Sequence, residues 1–308
     1  MTICIVARCT EADSLIVAGD RLFSYGNQFL YESISLKRLQ LTLDRRWHCM
    51  FDGDVTAVLP TIRIARHELM LLRPPYRLEL VERACVQAYQ CYRERLVNDG
   101  ILSVYGIDLA TYRREGINFG ADECARINSL IENKQVGTDF IVYGYDDLNA
   151  AHLFILQESR RPPCTVESLD CDQKGIAIIG HGYRHAMASL MSSSPLPVIS
   201  QVEMLCRVCE AKFDAEKDPT VGRDSAAGVI KRPSSTVQRA SEVFISVPAL
   251  QAIRDAHYNG QDRPYPTELL EALTYCINSD TTLERMSEAV RQAEEMIIAE
   301  NQKQRGRP

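Results

Sequence analysis

Two short apolar runs near the start of the chain place the strongest constraint on its fold. Residues 3–7 and 15–18 are rich in β-branched and other apolar side chains, and the polar residues 10–13 separate them. Short apolar runs bounded by polar, turn-forming residues are typical of buried strands. We therefore predict a buried β-hairpin whose loop is residues 10–13.

The length of this loop determines the register of the hairpin. A loop at residues 10–13 pairs Cys9 with Ser14, so that Ile3 lies opposite Asp20. Asp20 is then expected beside Thr2 at one end of the sheet. A carboxylate at this position either caps a turn or orients a catalytic cation.

Thr2 follows Met1 directly. Removal of Met1 would leave a hydroxyl and a free α-amine on one residue, and such an amine can act as the base for the hydroxyl. The reference pKa of an α-amino group is roughly 7.7 to 8.0, so a neutral fraction is present near neutral pH to accept a proton. The alternative interpretation is an ordinary chain terminus that frays in solvent.

A third strand is predicted at residues 36–43, where apolar and polar side chains alternate. One face of this strand carries Lys37, Leu39, Leu41 and Leu43. A lysine on an apolar face is costly to bury without an anionic partner, and Asp20 is the predicted partner. Arg38 lies on the opposite face, and we expect it to point to solvent.

The strand that follows ends in a glycine at the same edge of the sheet. If Leu43 and Arg46 close the turn between the two strands, Lys37 lies opposite Asp52, and Gly53 is one residue further. Four residues are therefore predicted to converge on one edge of an antiparallel sheet: Thr2, Asp20, Lys37 and Gly53.

The order of these four residues resembles that in the proteasome-type family of N-terminal-nucleophile hydrolases. Its members carry a nucleophilic threonine, an Ala-Gly-Asp sequence, a lysine, and a glycine whose amide serves the oxyanion hole. The matching residues in this chain are Thr2, Ala18-Gly19-Asp20, Lys37 and Gly53. The resemblance implies an α+β fold, a four-layer αββα sandwich of two antiparallel sheets flanked by helices.

The later part of the chain resembles the family in the order of its elements. A helical segment is predicted after Gly53, at residues 55–71. Strand-like segments follow at residues 138–146 and 151–158. Residues 175–182 resemble a buried strand that enters a turn before another helix.

Two serines of the family are replaced in this chain. His181 takes the place of a serine between two glycines, and Ala227 takes that of the serine in an Arg-Asp-x-x-Ser-Gly element, where Asp224 holds the aspartate position. Imidazole titrates near neutral pH, so His181 either relays protons or only fills a tight turn. Alanine has no hydroxyl, which leaves the second position to a water or to Ser225. His181 and Asp224 complete the candidate catalytic set.

The resemblance also implies a reaction. Thr2 Oγ would attack a carbonyl carbon, the Thr2 amine would take the proton, and water would hydrolyse the resulting ester. Lys37 would lower the pKa of the amine, Asp20 would hold Lys37, and the Gly53 N–H would stabilise the oxyanion.

A peptide substrate and a homo-oligomer, as a ring or another closed assembly, follow from the same resemblance. An ATPase partner is left open. Two alternatives are kept: an amidase of the same fold that acts on a small non-peptide amide, and a catalytically inactive scaffold subunit.

The composition argues against several other classes of function. The chain has 308 residues, of which 45% are hydrophobic, and a net charge of −6. This charge balance disfavours binding to a phosphate backbone, and the sequence has neither a signal peptide nor an apolar run of about 18 residues. We therefore predict a cytoplasmic protein that binds neither nucleic acid nor membrane.

Eleven cysteines are scattered through the chain, several of them inside apolar segments. This distribution is typical of reduced thiols in a core rather than of a disulfide framework. Cys206 and Cys209 have the spacing of zinc ligands, but they lie in a helical run without a second suitable pair, so we assign them to helix packing. No metal and no cofactor is predicted.

The predicted hydrolase-like domain covers residues 1–247. Residues 98–136 form an insertion that exceeds what the compact family core needs, with a strand-like segment at 101–107 and a helix around 124–133. The insertion is expected to line either the substrate cleft or a subunit contact.

A C-terminal helical extension is predicted at residues 248–302. Its helices are expected at 248–257, 266–278 and 281–302. Residues 303–308 are predicted to form a disordered tail.

Overall fold

The structure is a computed structural model that describes residues 2–20, 37–74, 76–159, 165–192, 199–233, 240–259 and 265–278, and the backbone of residues 22–25 and 29–32. In these residues the strands are β1 (Ile3–Cys9), β2 (Ser14–Asp20), β3 (Leu22–Tyr25), β4 (Phe29–Glu32), β5 (Arg38–Gln40), β6 (Trp47–Gly53), β7 (Thr138–Tyr145), β8 (Ala151–Glu158), β9 (Val166–Asp170), β10 (Ile176–Gly180), β11 (Ser225–Lys231) and β12 (Ser241–Phe244). The helices are α1 (Val55–Met70), α2 (Leu78–Gly100), α3 (Leu109–Glu115), α4 (Ala121–Glu132), α5 (Tyr183–Met191), α6 (Gln201–Ala215), α7 (Val247–Tyr258) and α8 (Thr267–Asn278).

Ten of these strands form two antiparallel sheets. The first sheet has the order β10-β1-β2-β11-β12, and the second has the order β5-β6-β7-β8-β9. The remaining two strands, β3 and β4, pair with each other as a separate hairpin. The strand β1 is therefore internal to the first sheet, with β10 on one side and β2 on the other.

Three apolar clusters hold the sheets and helices in four layers. The two sheets pack face to face around residues that include Cys4 and Val17 of the first sheet and Met50 and Ile141 of the second. A second cluster joins the outer face of the first sheet to α5, α6, α7 and α8. A third, around Trp47, joins the second sheet to α1 and α2. The predicted α+β, four-layer αββα sandwich is confirmed.

The strands β1 and β2 are buried on both faces, which explains their continuous apolar sequences. In β1, Ile5 contacts the helical layer, whereas Cys4 contacts the opposite sheet. Because both faces of the strand are covered, neither face requires polar side chains, and the apolar run is not interrupted. The register also agrees with the prediction, because Cys9 pairs with Ser14.

The hairpin of β5 and β6 forms with a register shifted by one residue from the predicted one. Arg38 lies opposite Met50, which aligns Lys37 with Phe51 rather than with Asp52. The expected pairing of Lys37 with Asp52 is therefore wrong.

The shift originates in the turn. Leu41 N–H donates to the Trp47 carbonyl at 2.8 Å, and the Thr42 hydroxyl accepts from Trp47 N–H at 3.2 Å. The loop is therefore longer than the tight turn that we predicted, since a side-chain oxygen satisfies a backbone donor inside it. As a consequence, Leu43 is 78% exposed instead of lying on the apolar face.

Arg38 does not point to solvent, contrary to the expectation from strand alternation. Its side chain is 12% exposed and pairs with Glu242 of β12. The guanidinium also lies 5.3 Å from the centroid of the Phe244 ring. This cation links the edge strand of the second sheet to the edge strand of the first, and the acidic partner on the other sheet explains its burial.

The helix predicted after Gly53 is present as α1. Asp54 caps it, with its carboxylate accepting from Thr56 N–H at 2.8 Å. Gly53 therefore lies at the junction of a buried strand and a capped helix, which holds its backbone from both sides.

The insertion forms helices rather than the strand expected at its start. A short 3-10 helix, Leu102–Tyr105, replaces the strand predicted at 101–107, whereas the predicted helix around 124–133 is present as α4. A small cluster at the end of α2 buries Leu102 against α3 and α4. A short apolar run does not distinguish a strand from a buried helical turn, and here the neighbouring helices decide.

The C-terminal extension contains two helices in the described residues. The predicted helices at 248–257 and 266–278 correspond to α7 and α8, which pack into the same cluster as α6. The helix predicted at 281–302 and the tail at 303–308 lie outside the described residues. The boundary between domain and extension stays a prediction.

No helix in the described part of the chain is long and apolar enough to cross a bilayer. The ten cysteines that the structure describes are free thiols. Cys206 and Cys209 are buried in α6, in agreement with their assignment to helix packing.

A charged cluster on the second sheet surrounds His152. Its Nδ1 pairs with Asp172, its Nε2 lies 3.2 Å from Asp146 Oδ2, and its ring stacks on Trp47 with the centroids 6.3 Å apart. The hydrogen bond with Asp172, supported by Asp146, raises the pKa of His152 above its usual value. The protonated imidazole therefore joins the β7–β8 turn to the segment after β9.

We expect the stabilising effect of His152 to depend on pH. Because its pKa is raised in the folded chain, its contribution is fully present below the unfolded pKa of about 6.5 and is lost as the pH rises through the folded value. His152→Gln should therefore lower the free energy of unfolding more at pH 5.5 than at pH 9, as measured by denaturant titration.

The control is to repeat the His152→Gln comparison in a chain that carries Asp172→Asn. Asparagine removes the charge of Asp172 but keeps the acceptor for Leu153 N–H. In that background the pH dependence of the His152→Gln effect should become smaller. An effect of His152→Gln that is equal at both pH values would contradict the prediction.

Candidate active site

Three predicted site residues meet in a buried cluster at the end of the first sheet. The side chains of Thr2 and Asp20 are fully buried, and Lys37 is 4% exposed. The Thr2 hydroxyl donates to Asp20 Oδ1, and Lys37 Nζ lies 3.5 Å from the same oxygen. Asp20 thus joins a hydroxyl from the residue before β1 to an ammonium from the segment before β5.

The second oxygen of Asp20 is bound by the loop before β11. Gly222 N–H donates to Asp20 Oδ2 at 3.0 Å. The strand β11 begins beside this point, since Ser225 pairs with Asp20. Both carboxylate oxygens therefore have partners, which a fully buried anion requires.

The backbone of Thr2 is held by the end of β10. His181 N–H donates to the Thr2 carbonyl at 2.9 Å. Gly180 precedes it with φ of +107°, and a Cβ at this position would lie 2.0 Å from the Thr2 carbonyl oxygen. Only glycine permits this close approach, so the Gly180–His181 turn sets the position of Thr2.

Gly53 lies at the corresponding end of β6. A hydrogen bond of 3.4 Å from Cys4 Sγ to the Phe51 carbonyl holds this end of β6 next to the start of β1. Gly53 has φ of +111°, and a Cβ there would lie 2.4 Å from the Gly137 carbonyl oxygen. The backbone at residue 53 is therefore confined by the loop that follows the insertion.

That loop is anchored by Glu158 of β8. Val136 N–H donates to Glu158 Oε1 at 2.8 Å, and Gly137 N–H donates to Oε2 at 3.2 Å. The hydroxyl of Tyr89, from α2, donates to the Thr138 carbonyl at 2.8 Å. The insertion thus returns to the core directly against Gly53.

The other two candidate residues lie at the surface of the site. The side chain of His181 is exposed, so its contact with Thr2 is made by its backbone. Asp224 is exposed in the loop before β11, and that loop reaches the cluster through Gly222. The structure therefore brings Thr2, Asp20 and Lys37 into direct contact. His181 joins them through its backbone, and Asp224 is exposed two residues after Gly222.

Ala227 is buried in β11. The hydroxyl that was expected as a substitute, on Ser225, lies 3.3 Å from the Arg223 carbonyl and 3.0 Å from an Arg254 nitrogen. In this arrangement the Ser225 hydroxyl contacts its own loop and the Arg254 side chain of α7.

A further carboxylate in the site was not assigned a role from the sequence. Asp52 precedes Gly53 on β6, and burial raises the pKa of its carboxyl. The charges of Lys37 and His181, and a hydrogen bond from the Gly53 backbone, lower that pKa in turn. The sequence feature that could have identified Asp52 is a charged residue near the end of a largely apolar strand.

The same charged groups also affect the pKa of the Cys4 thiol. Burial raises its pKa; the nearby Asp20 and Asp52 raise it further, whereas Lys37 lowers it. The ion pair of Asp20 and Lys37 and the carboxylate of Asp52 therefore act together on the side chain of Cys4, which lies two residues after Thr2 in the chain. Such a set can orient a hydroxyl and tune the pKa of an adjacent amine.

In the residues that the structure describes, no group of three or more His, Cys, Asp and Glu side chains is placed to hold a metal ion. The side chains that meet at this site carry a hydroxyl, a carboxylate and an ammonium.

No protein-family model matches the sequence, and no curated protein matches it. Several solved structures do share its fold. The helical assembly of the Anbu complex from Pseudomonas aeruginosa superposes with a TM-score of 0.55 at 14% identity, over 86% of this chain and 98% of that one. The chain has the fold of Anbu.

Two further Anbu structures agree. The Gly-1 mutant from Hyphomicrobium sp. strain MC1 has a TM-score of 0.54 at 13% identity, over 87% of this chain and 100% of that one. Anbu from Yersinia bercovieri, an ancestral β-subunit, has a TM-score of 0.52 at 11% identity, over 86% of this chain and 99% of that one. The resemblance to proteasome-type N-terminal-nucleophile hydrolases is thereby confirmed for the fold.

We expect Gly53→Ala to destabilise the chain through a backbone clash. The new Cβ would meet the Gly137 carbonyl, whereas a Cβ at Gly106, which has φ of +68°, would have no atom within 4 Å. Gly106→Ala should therefore cost about 1 kcal/mol from its left-handed backbone alone, and Gly53→Ala about 2 kcal/mol more.

Denaturant unfolding of the two variants beside the wild type measures this difference. Equal losses in both variants would show that the loop at residue 137 does not confine Gly53.

Proposed function

We propose that this protein is a threonine-type amide hydrolase in which processing removes Met1 and exposes Thr2 as the nucleophile. Thr2 Oγ attacks the carbonyl carbon of the substrate and the α-amine of Thr2 accepts the hydroxyl proton. The resulting ammonium gives that proton to the substrate nitrogen, which leaves as an amine when the C–N bond breaks. Water then hydrolyses the threonine ester and regenerates the hydroxyl. The observation that carries the proposal is the buried hydrogen bond and ion pair that join Thr2 and Lys37 through Asp20.

Each member of the cluster has a role in this reaction. The positive charge of Lys37 lowers the pKa of the α-amine and so favours the neutral base. Asp20 holds Lys37 and orients the hydroxyl. The Gly53 N–H stabilises the oxyanion, and His181, exposed at the mouth of the site, passes protons to solvent. Asp224 supports the loop that contacts Asp20.

The substrate that we propose is a peptide, and the assembly is a homo-oligomer. The Anbu complex of Pseudomonas aeruginosa forms a helical assembly, which supports self-association of a chain with this fold. An amidase acting on a small non-peptide amide would use the same cluster. A cytoplasmic location fits both, and the proposed chemistry uses only protein groups and water.

A catalytically inactive subunit is the second candidate. It is favoured by Ala227, which offers no hydroxyl, and by the complete burial of Thr2. Intact-mass measurement of the purified protein distinguishes the two functions, since retained Met1 blocks the amine and leaves only the inactive subunit.

We expect Thr2→Ala to lower hydrolysis of a panel of fluorogenic peptides and small amides by about 1,000-fold or more, because both the attacking oxygen and its orientation are lost. Thr2→Ser, which keeps the hydroxyl, should retain part of the activity. The matched control is Thr10→Ala, at an exposed turn position beyond the opposite end of β1.

An epoxyketone or β-lactone should add covalently to Thr2 in the wild type and not in Thr2→Ala, as seen by mass spectrometry. Turnover by Thr2→Ala at the wild-type rate would contradict the proposal that Thr2 is the nucleophile.

Asp52→Asn should move the acidic limb of the kcat/KM profile to lower pH. An anion near the amine stabilises its protonated form and raises its pKa, so removing the charge lowers that pKa. The measurement is the pH profile between about 5 and 9, the range around the reference pKa of an α-amine.

Asp99→Asn is the control for the change of net charge, because Asp99 is an exposed carboxylate at the end of α2. An acidic limb that shifts equally in both variants, or in neither, would exclude Asp52 from the electrostatics of the base.

A further inference from the structure

A buried lysine lies behind the loop that contacts Asp20. Lys212 of α6 is fully buried. Its Nζ donates to the Gly222 carbonyl at 2.8 Å and lies 3.3 Å from the Arg223 carbonyl, and it forms an ion pair with Glu216. Burial lowers the pKa of Lys212, and the carboxylate of Glu216 opposes this effect.

The contacts of Lys212 lead directly to the catalytic cluster. Gly222 is held on both sides, since its carbonyl accepts from Lys212 and its N–H donates to Asp20 Oδ2 at 3.0 Å. Asp20 in turn binds Thr2 and Lys37. The carbonyl and the N–H of Gly222 belong to adjacent peptide planes that meet at its Cα, so anchoring the carbonyl restricts the orientations in which the N–H can meet Asp20.

Arg254 connects the same loop to α7. Its guanidinium nitrogens lie 2.9 and 3.1 Å from the two oxygens of Glu216, and one of them donates to the Arg223 carbonyl at 2.6 Å. The guanidinium also lies 4.6 Å from the centroid of the Phe213 ring. The carboxylate of Glu216 thus holds two cations, one from α6 and one from α7, against two successive carbonyl groups.

Burying the ammonium of Lys212 costs free energy, which would not be needed if its side chain only filled space in the core. A fully buried ammonium loses its hydration, and an apolar side chain of similar length would pack there at lower cost. What the ammonium adds is directional: it orients two backbone carbonyls next to the residue that contacts Asp20.

We propose that Lys212, held by Glu216 and Arg254, is a positioning residue that orients the Gly222 N–H toward Asp20, and that the helix α7 thereby helps to set the geometry of the Thr2 site. The effect on catalysis rests on the proposed hydrolase function, whereas the effect on the loop does not.

The experiment compares Lys212→Met and Arg254→Met with Lys217→Met in the full-length, processed protein. Lys217 is a matched control, since it is an exposed lysine just after the end of the same helix whose ion pair with Asp214 does not reach the loop. Hydrogen–deuterium exchange of the peptide that covers residues 219–226 reads the Gly222 N–H without any need for activity.

Exchange in that peptide should be about tenfold faster in Lys212→Met and Arg254→Met than in Lys217→Met, because the bond from Gly222 to Asp20 opens more often. In the same two variants kcat should fall about 10- to 100-fold with little change in KM, since a displacement of about 1 Å at the reacting groups has an effect of this size.

Exchange and kcat in both test variants that equal those of Lys217→Met would overturn the proposal. If Lys212→Met does not fold, the result for Arg254→Met tests the proposal alone. The Arg254 side chain is partly exposed, so replacing it leaves no fully buried cavity. If the wild type itself does not hydrolyse any substrate, the hydrolase function fails, and the exchange of the 219–226 peptide still decides the role of Lys212.

Discussion

A carboxylate that is removed from water needs a partner for each of its oxygens, because leaving a buried charge unpaired costs on the order of several kcal/mol. Asp20 is such a group, and its partners come from three distant parts of the chain. Thr2 directly precedes the first strand, Lys37 comes from the segment before the second sheet, and Gly222 comes from the loop before β11. The chain can satisfy this anion only when both sheets and that loop are assembled.

The same requirement links the candidate site to the stability of the fold. Glycines at positions 53 and 180 let the backbones of neighbouring segments approach more closely than any Cβ would permit. Glu158 and Lys212 then hold the loops around residues 137 and 222 from behind. Charged groups that are remote in sequence therefore control the backbone around Thr2, as is usual for a pre-organised site.

The fold was predictable where the sequence pattern and the burial agree. The first hairpin has the expected register, because both of its strands are buried on both faces and a polar loop separates them. The hairpin of β5 and β6 is shifted by one residue, because the hydroxyl of Thr42 satisfies a backbone donor and lengthens the turn. The strand expected at 101–107 is a helical turn, because the neighbouring helices supply its apolar surroundings. Neither the side-chain hydrogen bond in the turn nor the packing of the neighbouring helices can be read from the local pattern of apolar and polar residues.

The sequence by itself predicted the meeting of Thr2, Asp20 and Lys37 and, through its resemblance to a known family, the four-layer fold. The single sheet edge that was predicted for this meeting is wrong, because Thr2 and Asp20 lie at the end of the first sheet whereas Lys37 precedes the second. Only the tertiary structure decided the environment of these residues. Asp52 became part of the site through burial beside Lys37, and Lys212 through the approach of α6 to the Gly222 loop. These contacts depend on how sheets and helices pack against each other, and packing across layers leaves no periodic signal in the sequence.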